Sequence, residues 1–262
     1  MASVQYLHQL FGLDGQTAIV IGGTGVLGGA ICDGLAAAGA HVVVAGRSQE
    51  RGEERAKIIR DAGGSAEFIP VNVTSRSSIT ELRDKVVASH KRVDILVNCA
   101  GVNSAVPFAE ISDDDWNRVM DTNLTATHLG CQAFAPMMSE QEGGGSILNI
   151  GSVTSHLPLS RVFAYSASKA AVLNYTKNVA REYAQKGVRV NSLCPGFFPA
   201  EQNRKILDEK RVASIMTQTP MGRFGEPHEL VGAVLLLCSR VAGSFTTGTE
   251  IYVDGGFTGN RF

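Results

Sequence analysis

Short apolar, β-branched runs recur along the chain, separated by longer stretches with helical spacing. TAIVI (17–21), HVVVA (41–45), AEFI (66–69), VDILVN (93–98), SILNI (146–150), VRVNSL (188–193) and EIYV (250–253) read as strands. They are nearly continuous in apolar residues rather than alternating, the pattern of strands buried on both faces. The intervening segments read as helices. Residues 26–38 are rich in Ala and Leu, and 49–61 are charged, with Ile58 and Ile59 placed inward. Residues 77–90 repeat Ile79, Leu82, Val86 and Val87 at helical spacing, while 113–138 and 164–185 predict longer helices. Gly39, Gly63, Gly101, Gly151 and Gly187 punctuate the units. This alternation predicts an α/β fold: a doubly wound sheet of about seven parallel strands with right-handed crossovers and helices on both faces. No Ser/Pro-rich linker and no internal repeat interrupts it, so 1–262 reads as a single domain. Residues 197–226 depart from the rhythm. They are polar, irregular and too long for an ordinary connection, which predicts a substrate lid.

Composition narrows the function classes. Of 262 residues, 44% are hydrophobic and 19% charged, and the formal net charge is −1. Lys and Arg number 24 against 25 Asp and Glu, so neither a nucleic-acid partner nor a membrane surface is favoured. The opening MASVQYLHQLFGLDG has neither a basic n-region nor an apolar h-region of a signal peptide. The longest apolar run, AVLLLC at 233–238, is far short of a membrane span. Five cysteines (Cys32, Cys99, Cys131, Cys194, Cys238) are scattered without CxxC spacing, arguing against a disulfide framework and a zinc site. The expectation is a reduced, soluble, cytoplasmic protein.

The candidate chemistry gathers after the strands, where open parallel sheets bind ligands. The first turn, Gly22-Gly23-Thr24-Gly25-Val26-Leu27-Gly28, contains G-x-G-x-x-G between a strand and a helix. Glycines there let a pyrophosphate approach, and the helix N-terminus offers N–H groups to its charge. The second strand ends in Gly46-Arg47-Ser48. An NAD enzyme usually places Asp or Glu there for the ribose 2′-hydroxyl. A glycine followed by arginine instead predicts NADP, with Arg47 and Ser48 at the 2′-phosphate. Asn72-Val73, Asn98-Cys99-Ala100-Gly101, Gly151-Ser152 and Cys194-Pro195-Gly196 follow the later strands. Tyr165 and Lys169 stand four apart in AYSASKAA, so on a helix their Cβ atoms lie about 5–6 Å apart. An ammonium beside a phenol should lower the phenol's pKa from about 10. Ser152 is placed to hold a carbonyl oxygen. These groups suit hydride transfer to a carbonyl with a proton supplied by the protein.

The chain resembles the short-chain dehydrogenase/reductase family over nearly its whole length. The family's Tyr-x-x-x-Lys stands at Tyr165 and Lys169, its serine at Ser152, and its helix asparagine at Asn123 in DTNL. Its strand-four motif matches Asn98 to Gly101, its Pro-Gly is Pro195-Gly196, and its V-D-G-G is Val253 to Gly256. The resemblance implies a Rossmann-type fold, NADP(H) as cofactor, and Asn123, Ser152, Tyr165 and Lys169 as the catalytic set. It gives Asn123 a proton-relay water and Lys169 the nicotinamide ribose. Asn98 would support the adenosine side. Gly22, Thr24, Gly25, Val26, Leu27, Gly28, Arg47, Ser48, Asn72, Val73, Asn98, Ala100, Gly101, Tyr165, Lys169, Pro195, Gly196 and Phe198 are its implied cofactor contacts. A homotetramer is implied too. Four positions depart from the pattern: Ile21 and Val26 replace a threonine and a glycine of the phosphate turn, Asn72 replaces an aspartate that usually flanks adenine, and Ala200 replaces a threonine near the carboxamide.

PGFFPAEQNRKIL (195–207) and TPMGRFGEP (219–227) look like the fructuronate reductase, or D-mannonate oxidoreductase, branch. The implied substrate is a sugar acid or related polyol, with Ser152, Arg161, Gln202, Asn203 and Arg204 as candidate contacts and Arg161 or Arg204 for the carboxylate. Two alternatives stay open: a 3-oxoacyl thioester reductase, and a catalytically silent NADPH-binding module. No metal is expected: Glu226, His228 and Glu229 read as a helix start after Pro227, and His41, His90 and His128 are isolated in sequence.

Overall fold

The computed structural model describes residues 2–198 and 209–259. Its sheet is built from β1 (Thr17–Ile21), β2 (His41–Gly46), β3 (Ser65–Pro70), β4 (Ile95–Asn98), β5 (Gly145–Ile150), β6 (Val188–Pro195) and β7 (Glu250–Val253). All pairings are parallel, in the order β3-β2-β1-β4-β5-β6-β7. Every residue of β1 is buried, because alternate side chains feed opposite cores. Ala18 and Val20 join Ile31, Leu35 and Val234; Ile19 and Ile21 join Leu82, Leu129 and Phe134. Thus α2 (Val26–Ala37), α3 (Gln49–Asp61) and α9 (Val231–Cys238) cover one face. The other is covered by α4 (Arg76–His90), α6 (Ala126–Ser139) and α7 (Phe163–Tyr183). Each fully buried Leu, Ile or Phe contributes about 1.5–3 kcal/mol.

The order places β1 beside β4, where the winding reverses, so a crevice opens beyond their carboxyl ends. At the opposite edge, Asp94 anchors the sheet. It is 2% exposed and accepts from the Thr17 N–H at 2.8 Å and from Arg92 Nε at 2.8 Å, while the Arg240 guanidinium closes on the same carboxylate. Serines cap the helices: Ser48 for α3, Ser75 for α4 and Ser112 for α5 (Asp113–Met120).

The structure differs from the pattern reading at four places. Residues 113–138 are not one helix: a π-turn at Asp121–Thr125 separates α5 from α6. Ile59 points inward at 4% exposure but Ile58 is 46% exposed, because one turn of a helix cannot bury both neighbours. The opening segment forms α1 (Ala2–Phe11), whose Val4, Tyr6 and Leu7 are exposed and give no inward stripe to detect. Within 197–226, Glu209–Gln218 is helical (α8), with Ile215 its buried contact. His41 and His90, far apart in the chain, stack with ring centroids 4.2 Å apart.

Candidate active site

The cleft at the switch point has a volume of about 300 Å³. Its floor is the β1–α2 turn. Gly22 has φ of +92°, and a Cβ on it would lie 2.6 Å from the Ala100 N, so the turn after β1 packs directly on the turn after β4. A Cβ on Gly28 would sit 2.2 Å from the Gly22 carbonyl oxygen. Gly25 caps α2 without a side-chain hydrogen bond, and Val26, Leu27 and Gly28 line the cleft with it. The first-turn N–H groups of α2 therefore remain for an anion. Val26 in place of a glycine is accommodated at 43% exposure.

The cleft's far end carries Arg47 and Arg51, with Asn72, Val73 and Thr74 opposite. A Cβ on Gly46 would come within 2.8 Å of the Thr24 side chain. Thr24 thus occupies the space a carboxylate at position 46 would need. Glycine turns, a helix N-terminus and two guanidiniums form a donor set that fits a phosphorylated dinucleotide.

At the near end, α7 presents Tyr165 and Lys169 one turn apart. The Tyr165 hydroxyl hydrogen-bonds Ser152, and burial raises its pKa, which that hydrogen bond partly offsets. Ser152 Oγ accepts from the Thr154 N–H at 3.2 Å and from Thr154 Oγ1 at 3.1 Å, leaving its own hydrogen to donate. Lys169 is 4% exposed, and burial lowers its pKa to about 8. Its Nζ donates to the Ile150 carbonyl oxygen at 2.7 Å and lies 5.7 Å from the Tyr165 ring centroid. A smaller cavity of about 80 Å³ adjoins the cleft, lined by Asn103, Ser152, Thr154, Tyr165, Phe197 and Arg211 among others. Among the described residues, Tyr165 is the one that lines both spaces.

A family model described as enoyl-(acyl carrier protein) reductase matches residues 24–258. The gluconate 5-dehydrogenase of Gluconobacter oxydans is 36% identical over 95% of this chain and 97% of its own. The chain belongs to the short-chain dehydrogenase/reductase family. A 3-oxoacyl-[acyl-carrier-protein] reductase of Aquifex aeolicus is also 36% identical, over 93% of this chain and 98% of its own. The solved gluconate 5-dehydrogenase of Burkholderia cenocepacia, in complex with NADP and tartrate, superposes with a TM-score of 0.93. It is 34% identical and covers 97% of this chain and 100% of that one. The chain is accordingly an oxidoreductase, and the silent binding module gives way to an enzyme. The relatives do not single out the fructuronate reductase branch: names for sugar acids and acyl carriers occur among them.

As a short-chain dehydrogenase/reductase, the chain brings many of the expected positions to the cleft. Gly22, Thr24, Gly25, Val26, Leu27, Gly28, Arg47, Asn72, Val73, Ala100, Gly101, Tyr165 and Lys169 all line the cleft. Others need correction. Ser48 is outside the lining and spends its hydroxyl capping α3, accepting from the Arg51 N–H. Asn98 points into the sheet, donating to Asn149 Oδ1 at 2.8 Å, with Gly130 leaving room for it. Pro195 ends β6 outside both spaces, and Gly196 lines the smaller cavity instead of the cleft. Phe198 is 3% exposed and packs under Gly225. Arg161 is exposed and lines neither space. Gln202, Asn203 and Arg204, with Glu201 and Ala200, lie outside the described residues.

Two roles change as well. Asn123 is fully buried, and its amide is committed: it accepts from the Val102 N–H at 2.8 Å and donates to the Val102 carbonyl at 3.0 Å and to Ser168 Oγ at 3.0 Å. It is a positioning residue that ties the β4 turn to α7. Lys169 does not lower the Tyr165 pKa as the spacing suggested. Its amine is drawn to Ile150, and burial of the phenol dominates.

Sequence reasoning missed Arg51, Thr74, Val102, Thr122 and Arg211. Arg51 had a usable signal: it lies one helical turn beyond Arg47, at the start of α3. Arg211 had none, because α8 was read as irregular.

Proposed function

We propose that this chain uses NADP(H) to interconvert a keto and a hydroxyl group on a polyhydroxylated acid. One observation carries the reading: Tyr165 lines both a cleft with dinucleotide-type donors and a smaller adjoining cavity. When bound, the cofactor supplies or takes up a hydride.

The chain's own residues do the rest. Arg47 and Arg51 receive the 2′-phosphate, and the α2 N-terminus receives the pyrophosphate. Ser152 donates to the substrate oxygen and fixes its distance from Tyr165. Tyr165, kept protonated at neutral pH by burial, gives its proton to that oxygen in reduction. Lys169 anchors the ribose side and sits beside the phenol as charge develops on it. Asn123 holds the β4 turn against α7.

Arg211, on α8 at the mouth of the smaller cavity, is the cation that meets the substrate carboxylate, in place of Arg161. Residues 197–226, including α8, then serve as the lid. The names of the gluconate 5-dehydrogenase relatives support a sugar acid. The exposed apolar side chains of α5 and α7, Trp116 at 40% and Phe163 at 39%, suit the subunit contact a homotetramer requires.

A panel of keto-gluconates and hexuronates, fructuronate among them, tests the reading against 3-oxoacyl thioesters with NADPH and NADH. Turnover of keto acids, with Arg211→Ala raising KM for acids about tenfold or more but not for neutral polyols, is expected. Turnover confined to thioesters would favour the second reading, which the Aquifex relative and Phe197 in the cavity wall support.

A further inference from the structure

The amino ends of the strands, remote from the cleft, carry a second cluster of chemistry-bearing side chains. In the β2–β3 pairing, His41 is level with Ser65 and Val43 with Glu67. His41, Val43 and Ala45 therefore share the face that α4 covers with Ile79, Leu82 and Val86. At the rim of that face the apolar pattern stops. His41 and Glu67 replace core residues, and α4 ends in His90 directly above them.

Three donor atoms converge there, His41 Nε2, Glu67 Oε1 and His90 Nε2, all within 4.8 Å of one another. His90 Nε2 lies 2.8 Å and His41 Nε2 3.5 Å from the same carboxylate oxygen. The His41 Nδ1 is 2.7 Å from Ser65 Oγ. In the tautomer whose Nδ1–H donates to Ser65, the Nε2 lone pair is aimed at the carboxylate. His41 Nε2 is buried with no hydrogen-bond partner. A lone pair facing a carboxylate is an arrangement that calls for a cation between them.

We infer that His41, Glu67 and His90 form a binding site for a divalent transition-metal ion of the zinc class, cross-linking β2, β3 and the end of α4. Two imidazoles, one carboxylate and a solvent molecule make a four-coordinate set. Metal–ligand bonds of about 2.0–2.1 Å place donors about 3.3 Å apart. Two edges of the cluster already bracket that value, and rotation of the partly buried imidazoles brings in the third. Ser65 orients His41 from behind, the usual arrangement around a metal-bound imidazole. The ion joins an edge strand to its neighbour and touches neither the cleft nor the catalytic groups.

The test uses the full chain stripped with chelator and titrated with zinc chloride. Calorimetry should saturate near one ion per chain, and cobalt(II) should give the visible absorption of a four-coordinate ion. At a hundredfold excess of zinc over its dissociation constant, the thermal midpoint should rise by about 5 °C. Glu67→Gln and His90→Gln should each abolish the shift, and Ser65→Ala, at an exposed position, should weaken binding about tenfold. No saturable binding, or binding equal in the parent and all three variants, overturns the inference.

Discussion

Replacing Lys169 with methionine should expose the energetic cost of holding an amine beside the catalytic phenol. Burial lowers the Lys169 pKa from 10.5 to about 8. At neutral pH the folded chain therefore carries a charge disfavoured by about 3 kcal/mol relative to the unfolded chain. The folded pKa lies below the unfolded one, so this cost is present at low pH and is relieved as pH rises from about 8 towards 10.5. Between pH 7 and 9 the folded amine loses most of its proton while the unfolded amine keeps its own. The parent should gain about 1 kcal/mol from this group across that interval. Lys169→Met has no such group. Its other penalty, the Ile150 carbonyl left without its 2.7 Å donor, is the same at both pH values and cancels. Urea unfolding of both proteins at pH 7 and 9, under reductant and at one fixed protein concentration, measures the difference. The parent's stability relative to the variant should increase by about 1 kcal/mol. An unchanged gap, or one that narrows as pH rises, would refute the reasoning.

Gly22→Ala should destabilise the fold by about 2–4 kcal/mol, through its left-handed φ and its approach to the β4 turn, and weaken NADPH binding; urea unfolding and NADPH fluorescence check both. Arg47→Ala and Arg51→Ala should each raise KM for NADPH about 10- to 100-fold and leave that for NADH nearly unchanged, the loss of one charge-assisted contact of about 1.5–3 kcal/mol. Equal effects on both nucleotides would remove the 2′-phosphate assignment. Asp94→Ala should cost about 3–5 kcal/mol in unfolding experiments, because Arg92 and Arg240 lose a shared buried carboxylate, while KM for NADPH stays unchanged.

Much of the fold is written locally. The continuous apolar runs of β1 and β4 follow from burial on both faces, and Ser48 and Ser112 mark helix starts by their own hydroxyls. The phosphate turn is legible because Gly22 and Gly28 each answer a close approach visible as spacing. What escaped depends on distant partners. The π-turn around Asn123 is held by Val102 and Ser168, which no window of sequence joins to it. Arg211 reaches the substrate cavity only through the placement of α8. The spacing of Tyr165 and Lys169 correctly paired them on one helix face, but the sign of the phenol's pKa shift was set by burial. His41 and His90 were isolated until the sheet register and the end of α4 brought them together.

The account's central claim is that Tyr165 exchanges a proton with the substrate oxygen. Tyr165→Phe removes that hydroxyl while keeping the ring that lines the cleft. Measured by NADPH absorbance on a keto acid the parent reduces, kcat should fall about 10²- to 10⁴-fold with NADPH affinity retained. A variant that turns over within a few-fold of the parent would contradict the account.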